Sequence, residues 1–246
     1  MQPLNKLRRT YVKILAIDTS GLHANAAITH NEITIGEISI NARVGEKSWT
    51  HSEILMPSIQ QLFTLTGVSK SGIDYIAFTC GPGSFTGLRI GAATALGLAK
   101  ALQRPVIPVP TLDALAQNIS GLMTSGIIVP MMDARRGQVY TAIYNHDGMR
   151  TTDYMAVQIC DIVAQVKENP CVLTLGDGAC AYRSQIESKA SHIIFAQQNN
   201  MLQRAASVAG CAMRMLNNGL ELGSDVNLLY VRAPQAEQEK NKKNAQ

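Results

Sequence analysis

Three strand-like runs open the chain, KILAID (13–18), ANAAITH (24–30) and ITIGEISINARV (33–44), with Gly, Asn and Asp turn signals between them. They predict an antiparallel meander. In SWTHSEILMPSIQQLFTLTG the apolar positions change to three- and four-residue spacing at Ile54, Leu55, Ile59, Leu62 and Phe63, and Gly67 closes the pattern. That predicts an amphipathic helix over 51–66. DYIAFT then reads as a buried strand, GLRIGAATALGLAKALQ as a second helix, VIPV as a short strand, and Thr111 as the cap of a third helix through DALAQNIS.

The second half repeats the opening. IIVPMMDARRGQVYTAIYN is again strand, Asp-containing turn and strand, and placing Asp18 over Asp133 sets DTSGLHANAAI above DARRGQVYTAI, with Ala-Ile at the same offset. The chain reads as duplicated. A strand near MAVQI, a helix CDIVAQVKEN, a strand CVLTLG, a helix around CAYRSQIE, a strand HIIFA and a long helix LQRAASVAGCAMRMLNN follow. Two meander-plus-helices units of this kind are the layout of the α/β actin-like ATPase (ASKHA) fold. The expected boundaries are a tail at 1–12, an N-terminal domain at 13–110, a C-terminal domain at 111–234 with some exchange of C-terminal elements, and a disordered tail at 235–246.

Composition removes several function classes. A 46% apolar chain of 246 residues can bury a sizeable core. Its net charge of +4 is spread out rather than gathered into a nucleic-acid stripe. Five cysteines, odd in number and without a CxxC pair, fit neither a disulfide framework nor a zinc knuckle, and point to a reducing cytoplasm. The start LRRTYVKIL has a twin-arginine look, but Asp18 breaks the apolar run too soon for an export signal. The longest apolar stretch, IGAATALGLA, is about half a membrane span.

The chemistry question falls on CGPGSFTGLRIG, residues 80–91. A Walker A loop needs Lys after its last Gly, and Gly87 is followed by Leu88 and Arg89. A dinucleotide fingerprint needs GxGxxG and an acid about twenty residues on, whereas no Asp or Glu occurs between Asp74 and Asp113. A nucleophile elbow needs GxSxG, and Ser84 directly follows Gly83. What remains is a tight turn at a helix start, with Ser84 or Thr86 as N-cap, where Gly81, Gly83 and Gly87 serve either close packing or an anion at the helix dipole. Asp18, Thr19 and Ser20 are candidates to stand near such an anion or nucleotide. Asp18 and Asp133 also read as carboxylates that cap their own turns. Gly87, Gly91, Ala95 and Ala99 recur every four residues, a face for close approach by the chain's own sheet or by a partner.

Together ILAIDTS, CGPGSFTGLRIGAATALGLAKAL, PVIPVPTLDALA and MMDARRGQVYTAIY resemble the TsaB (YeaZ) family, over about residues 13–145 strongly and the rest weakly. That family serves the formation of threonylcarbamoyladenosine in tRNA and is paralogous to the catalytic subunit TsaD. In TsaD the segment after the glycine-loop helix resembles VNHxxGH, whose two His bind a metal; here VPTLDAL puts Thr111 and Leu115 at those places. His23, His30, His51, His146 and His192 stand far apart, without HxxxH or HExxH, so no metal site is expected, and His51 reads as a surface residue at a helix start. Compared with the DxGT turns of actin-like ATPases, DTSG is a fair match, while DARRG puts Arg135 and Arg136 where small residues would admit a phosphate.

The resemblance implies a non-catalytic scaffold with no catalytic residues or cofactor of its own, any nucleotide lying at the interface with its partner. The implied partners are TsaD, a TsaE-type ATPase, tRNA mainly through the complex, and a second copy when alone. The implied interface is a four-helix bundle using Ile54, Leu55, Met56, Ile59, Leu62 and Phe63 from one helix and Gly91, Ala95, Leu98 and Ala99 from the next. Met56 and Leu65 point away from the main stripe and need cover. The competing reading is an enzyme acting alone, either an actin-like ATPase or a glycoprotease-like peptidase.

Overall fold

A computed structural model describes residues 11–42, 49–222 and 227–231. The tails expected at 1–12 and 235–246 lie outside these residues, apart from Tyr11 and Val12. Strands β1 (Lys13–Asp18), β2 (His23–His30) and β3 (Ile33–Asn41) form the antiparallel meander. Strands β4 (Tyr75–Gly81) and β5 (Val106–Pro110) extend the sheet in parallel, giving the order β3-β2-β1-β4-β5. Both faces of β1 are covered. Leu15 and Ile17 enter one apolar cluster and Ile14 and Ala16 the other, so the strand reads as a continuous apolar run rather than an alternating one.

Helices α1 (His51–Thr66) and α2 (Phe85–Leu102) cover the first face. Local chemistry fixes the ends of α1: Thr50 and Glu53 form a capping box, and Gly67, left-handed at φ 67°, donates its N–H to Phe63 O. The second face carries α3 (Thr111–Gln117) and, from the far end of the chain, a helix over Ala205–Asn217. Thr111 is the first residue inside α3 rather than its cap. Pro110 holds the cap position, and the Thr111 hydroxyl is buried without a partner.

The second sheet repeats the first. β6 (Ile127–Arg135), β7 (Gln138–Thr141) and β9 (Met155–Gln158) are antiparallel, β10 (Val172–Leu175) and β11 (Ile194–Phe195) run parallel to β6, and β8 (Tyr144–Asn145) pairs beside it. Its order β9-β7-β6-β10-β11 matches β3-β2-β1-β4-β5 strand for strand, with Asp18 and Asp133 in corresponding strands. This duplicated unit is the actin-like ATPase (ASKHA) fold. Helices α4 (Ile159–Val166), α5 (Asp177–Ala181), α6 (Arg183–Lys189) and α7 (Gln198–Met201) complete it, and the helix at 205–217 is α8. The single helix expected around CAYRSQIE is two, because Tyr182 leaves helical geometry at φ −110° and sends its hydroxyl to Asp133. Asp113 of α3 ties the two sheets together, accepting hydrogen bonds from the hydroxyls of Tyr144 (2.5 Å) and Tyr154 (2.9 Å).

Candidate functional site

The Asp18 turn lies at the C-terminal end of β1, where β1 and β4 lie side by side. Asp18 Oδ1 accepts hydrogen bonds from Ser20 N (2.7 Å) and Thr79 Oγ1 (2.8 Å), so the carboxylate caps its own turn. Asp18, Thr19 and Ser20 are all buried. Burial raises the Asp18 pKa, against the lowering effects of the Ser20 and Thr79 hydrogen bonds and of nearby His51. Burial has the opposite effect on His23, lowering its pKa, and the ring lies within electrostatic reach of Asp18 and His51. Sequence distance hid this grouping. His51 is half-buried, with Nε2 lacking a partner, rather than a surface residue.

The glycine loop closes directly onto this turn. Ser84 N donates to Ser20 O (2.7 Å), and Thr19 Oγ1 donates to Gly87 O (2.7 Å). A Cβ on Gly83 would stand 2.6 Å from Ser20 O. A Cβ on Gly87 would overlap Thr19 O, one on Gly91 would overlap Thr19 Oγ1, and one on Gly81, at φ 120°, would overlap Leu229 O. Each of these glycines therefore admits an atom of the chain itself. Ser84 is the N-cap of α2, its hydroxyl accepting from Gly87 N (3.3 Å), while Thr86 is exposed in the first turn. Leu229 N donates to Cys80 O (2.7 Å), and Tyr230 packs on Phe85, beside Arg89.

The matching turn of the second half meets one cation and one hydroxyl of the chain. Asp133 Oδ1 accepts from Arg135 N (2.8 Å) and Tyr182 OH (3.0 Å), and Oδ2 pairs with the Arg135 guanidinium at 3.2 Å. Arg135, Arg136 and Gly137 are successive left-handed residues at the hairpin tip. Asp177, which sequence reasoning passed over although it sits in a GDG motif directly after β10, accepts from Asp133 N (3.3 Å) and Gly178 N (3.0 Å). Its pKa rises to about 6, chiefly through burial and further through the Asp133 carboxylate. Burial pushes the thiols of Cys80 and Cys211 up to about 12, which leaves them protonated and poorly nucleophilic at neutral pH. Among the described residues no group of three or more His, Cys, Asp or Glu is placed to hold a metal, and no helix is long and apolar enough to cross a membrane.

The interface expected from the sequence needs correction. Ile54, Leu55, Ile59, Leu62 and Phe63 lie in the chain's own core, as do Gly91, Ala95 and Ala99, and Leu98 packs against the same cluster. The small-residue face of α2 faces β1 and β4, since only short side chains let the helix sit close above Ile17 and Thr19. Met56 is outside this core at 46% exposure, and the surfaces α1 and α2 leave open carry Leu65 at 71% and Leu96 at 42%, with Ala93 and Gly97 exposed.

The model of the TsaD family, tRNA N6-adenosine threonylcarbamoyltransferase, matches residues 45–219. The tRNA threonylcarbamoyladenosine biosynthesis protein TsaB of Bacillus subtilis (strain 168) is 34% identical over 178 residues, 71% of this chain and 75% of that protein. The TsaB protein of Escherichia coli (strain K12) is 35% identical over 136 residues, 55% of this chain and 56% of that protein. The solved structure of YeaZ from Pseudomonas aeruginosa is 26% identical with a TM-score of 0.64, over 85% of this chain and 93% of that one.

Proposed function

The chain belongs to the TsaB (YeaZ) branch of the tRNA N6-adenosine threonylcarbamoyltransferase family, and we propose that it works in threonylcarbamoyladenosine biosynthesis as a non-catalytic scaffold for a catalytic TsaD-type paralogue. The observation that carries the reading is the closure of the glycine loop on the Asp18 turn. The backbone N–H of Ser84 and the hydroxyl of Thr19, groups that could hold a phosphate, are used on Ser20 O and Gly87 O, and the space at Gly83 and Gly87 is filled by the turn's own backbone. Arg135 occupies the Asp133 carboxylate in the second half, where an ATPase would need room for phosphate and magnesium. Thr111 and Leu115 are fully buried, and the resemblance to the catalytic paralogue implies that they replace its metal-binding His pair.

In this reading the paralogue docks on the outer surfaces of α1 and α2, a second copy of the chain uses the same surface when the paralogue is absent, and a TsaE-type ATPase and tRNA join through the complex. A nucleotide, where one binds, sits between this chain and its partner. Reconstitution tests the reading. The purified chain should turn over neither ATP nor peptides, and tRNA modification by the catalytic paralogue should depend on adding it. Turnover by the chain alone, abolished by Asp18→Ala, would establish the competing ATPase or peptidase instead.

A further inference from the structure

The last described segment of the chain, residues 227–231, is laid across the start of α2. Leu228 and Leu229 pack against the apolar cluster beneath α1 and α2, Leu229 N donates to Cys80 O (2.7 Å), and Leu229 O fits where Gly81 lacks a side chain. Tyr230 is thereby held at the surface. Its ring centre lies 5.6 Å from that of Phe85, its hydroxyl accepts from Arg89 Nε (3.5 Å), and the Arg89 guanidinium stands 3.8 Å from the Phe85 ring centre. This stack orients the cation. Neither Nη atom of Arg89 takes a partner among the described residues, and Phe85 and Tyr230 stay 39% and 40% exposed, so the stack faces outward.

Charge on the helix pair is one-sided. Apart from His51, α1 and α2 carry only Glu53, Arg89 and Lys100 as charged or titratable side chains. Glu53 is committed to the capping box, its Oε2 accepting from Thr50 N and Thr50 Oγ1, both at 2.7 Å. Lys100 lies three turns beyond Arg89, about 16 Å along the same exposed stripe, with Ala93, Leu96 and Gly97 exposed between them. A second copy docking here through a two-fold axis brings the same two cations and no uncommitted carboxylate. It is a poor electrostatic match. A different chain whose helices carry acidic side chains flanking a short apolar stretch complements the face in both charge and size.

We propose that Arg89, oriented by Phe85 and by the Tyr230 strap, anchors a carboxylate of the catalytic paralogue, and that Arg89 and Lys100 together select that partner over a second copy. The proposal rests on the reading that the paralogue docks on α1 and α2. A guanidinium with both Nη atoms open offers a carboxylate a bidentate fork, and Arg and Tyr are enriched at the energetic centres of interfaces. Tyr230 acts through Arg89 as a positioning residue. Titration calorimetry of the full chain with its paralogue, and sedimentation of the full chain alone, each at about 50 and about 300 mM salt, test the charge match. Paralogue binding should weaken severalfold with salt, whereas self-association should hold or tighten as like charges are screened; the same salt response in both overturns the selection. Arg89→Gln should weaken paralogue binding about tenfold and Arg89→Glu about a hundredfold, with Tm unmoved. Tyr230→Leu should weaken it in the parent chain but not in an Arg89→Gln background, and equal weakening in both overturns the positioning role. If Arg89→Glu binds like the parent while Leu96→Lys does not, the anchor is refuted and the docking surface stands. If both bind like the parent, the docking surface itself is misplaced and the anchor falls with it.

Discussion

Adding one methyl group to the glycine loop separates a docked loop from an open one. In Gly87→Ala the new Cβ would overlap Thr19 O, which is main-chain and cannot rotate away. Relief requires α2 to lift from the Asp18 turn, straining the Thr19 Oγ1 to Gly87 O bond of 2.7 Å. Overpacking of this kind costs about 1–3 kcal/mol, and a lost hydrogen bond about 0.5–1.5 kcal/mol. Against this, Ala gains up to about 1 kcal/mol over Gly in a helix. The net expectation is a loss of about 1–3 kcal/mol, or a fall in Tm of about 2–12 °C for a chain of this size. Gly97→Ala, on the same helix but with nothing within 4 Å of its Cβ, is the control. It takes the helix gain alone and should stabilise by about 0.5–1 kcal/mol. Thermal and urea denaturation followed by circular dichroism measure both. If Gly87→Ala is as stable as Gly97→Ala, the loop is not seated on the turn, and the case against a phosphate cradle fails.

Asp177 holds its proton more tightly folded than unfolded, with its pKa raised from 3.8 to about 6. Its favourable contribution is therefore present below pH 4 and is lost as pH rises through 6. Asp177→Asn keeps the Oδ1 acceptor for Asp133 N and Gly178 N and should gain about 1–3 kcal/mol over the parent chain at pH 7.5 and nothing near pH 4; equal gains in urea melts at both would refute the assignment. Asp113→Ala strands the buried Tyr144 hydroxyl and should cost about 2–4 kcal/mol, while Tyr154→Phe should cost about 1 kcal/mol; the reverse order in denaturation would show that the Tyr144 bond does not clasp the two sheets. Leu96→Lys and Met56→Lys, at positions 42% and 46% exposed, should leave Tm within about 2 °C and weaken paralogue binding by about tenfold or more in titration calorimetry. Unchanged affinity in both variants would move the interface off this helix pair.

The sequence was most legible where the determinants are local. Helix α1 runs from His51 to Thr66 as expected because Thr50, Glu53 and Gly67 act within a few residues of its ends. The duplicated sheet was legible too, because Asp18 and Asp133 mark equivalent turns and strand runs recur around them. The spacing of Gly87, Gly91, Ala95 and Ala99 said that something comes close to α2, but a short-side-chain face suits a sheet and a second helix equally well. The arbiter is Thr19, whose hydroxyl reaches Gly87 O across 68 residues of chain. The same applies to the Glu37–Arg204 pair, 167 residues apart, and to His23 and His51, which meet the field of Asp18 only once β2 and α1 are packed. A glycine motif thus records the size of a gap and not its occupant. A P-loop leaves its backbone N–H groups free to cradle phosphate, whereas here the gap is matched to the backbone of the Asp18 turn. That match leads the reading away from hydrolysis and toward a chain whose working surface lies on the outside of its helices.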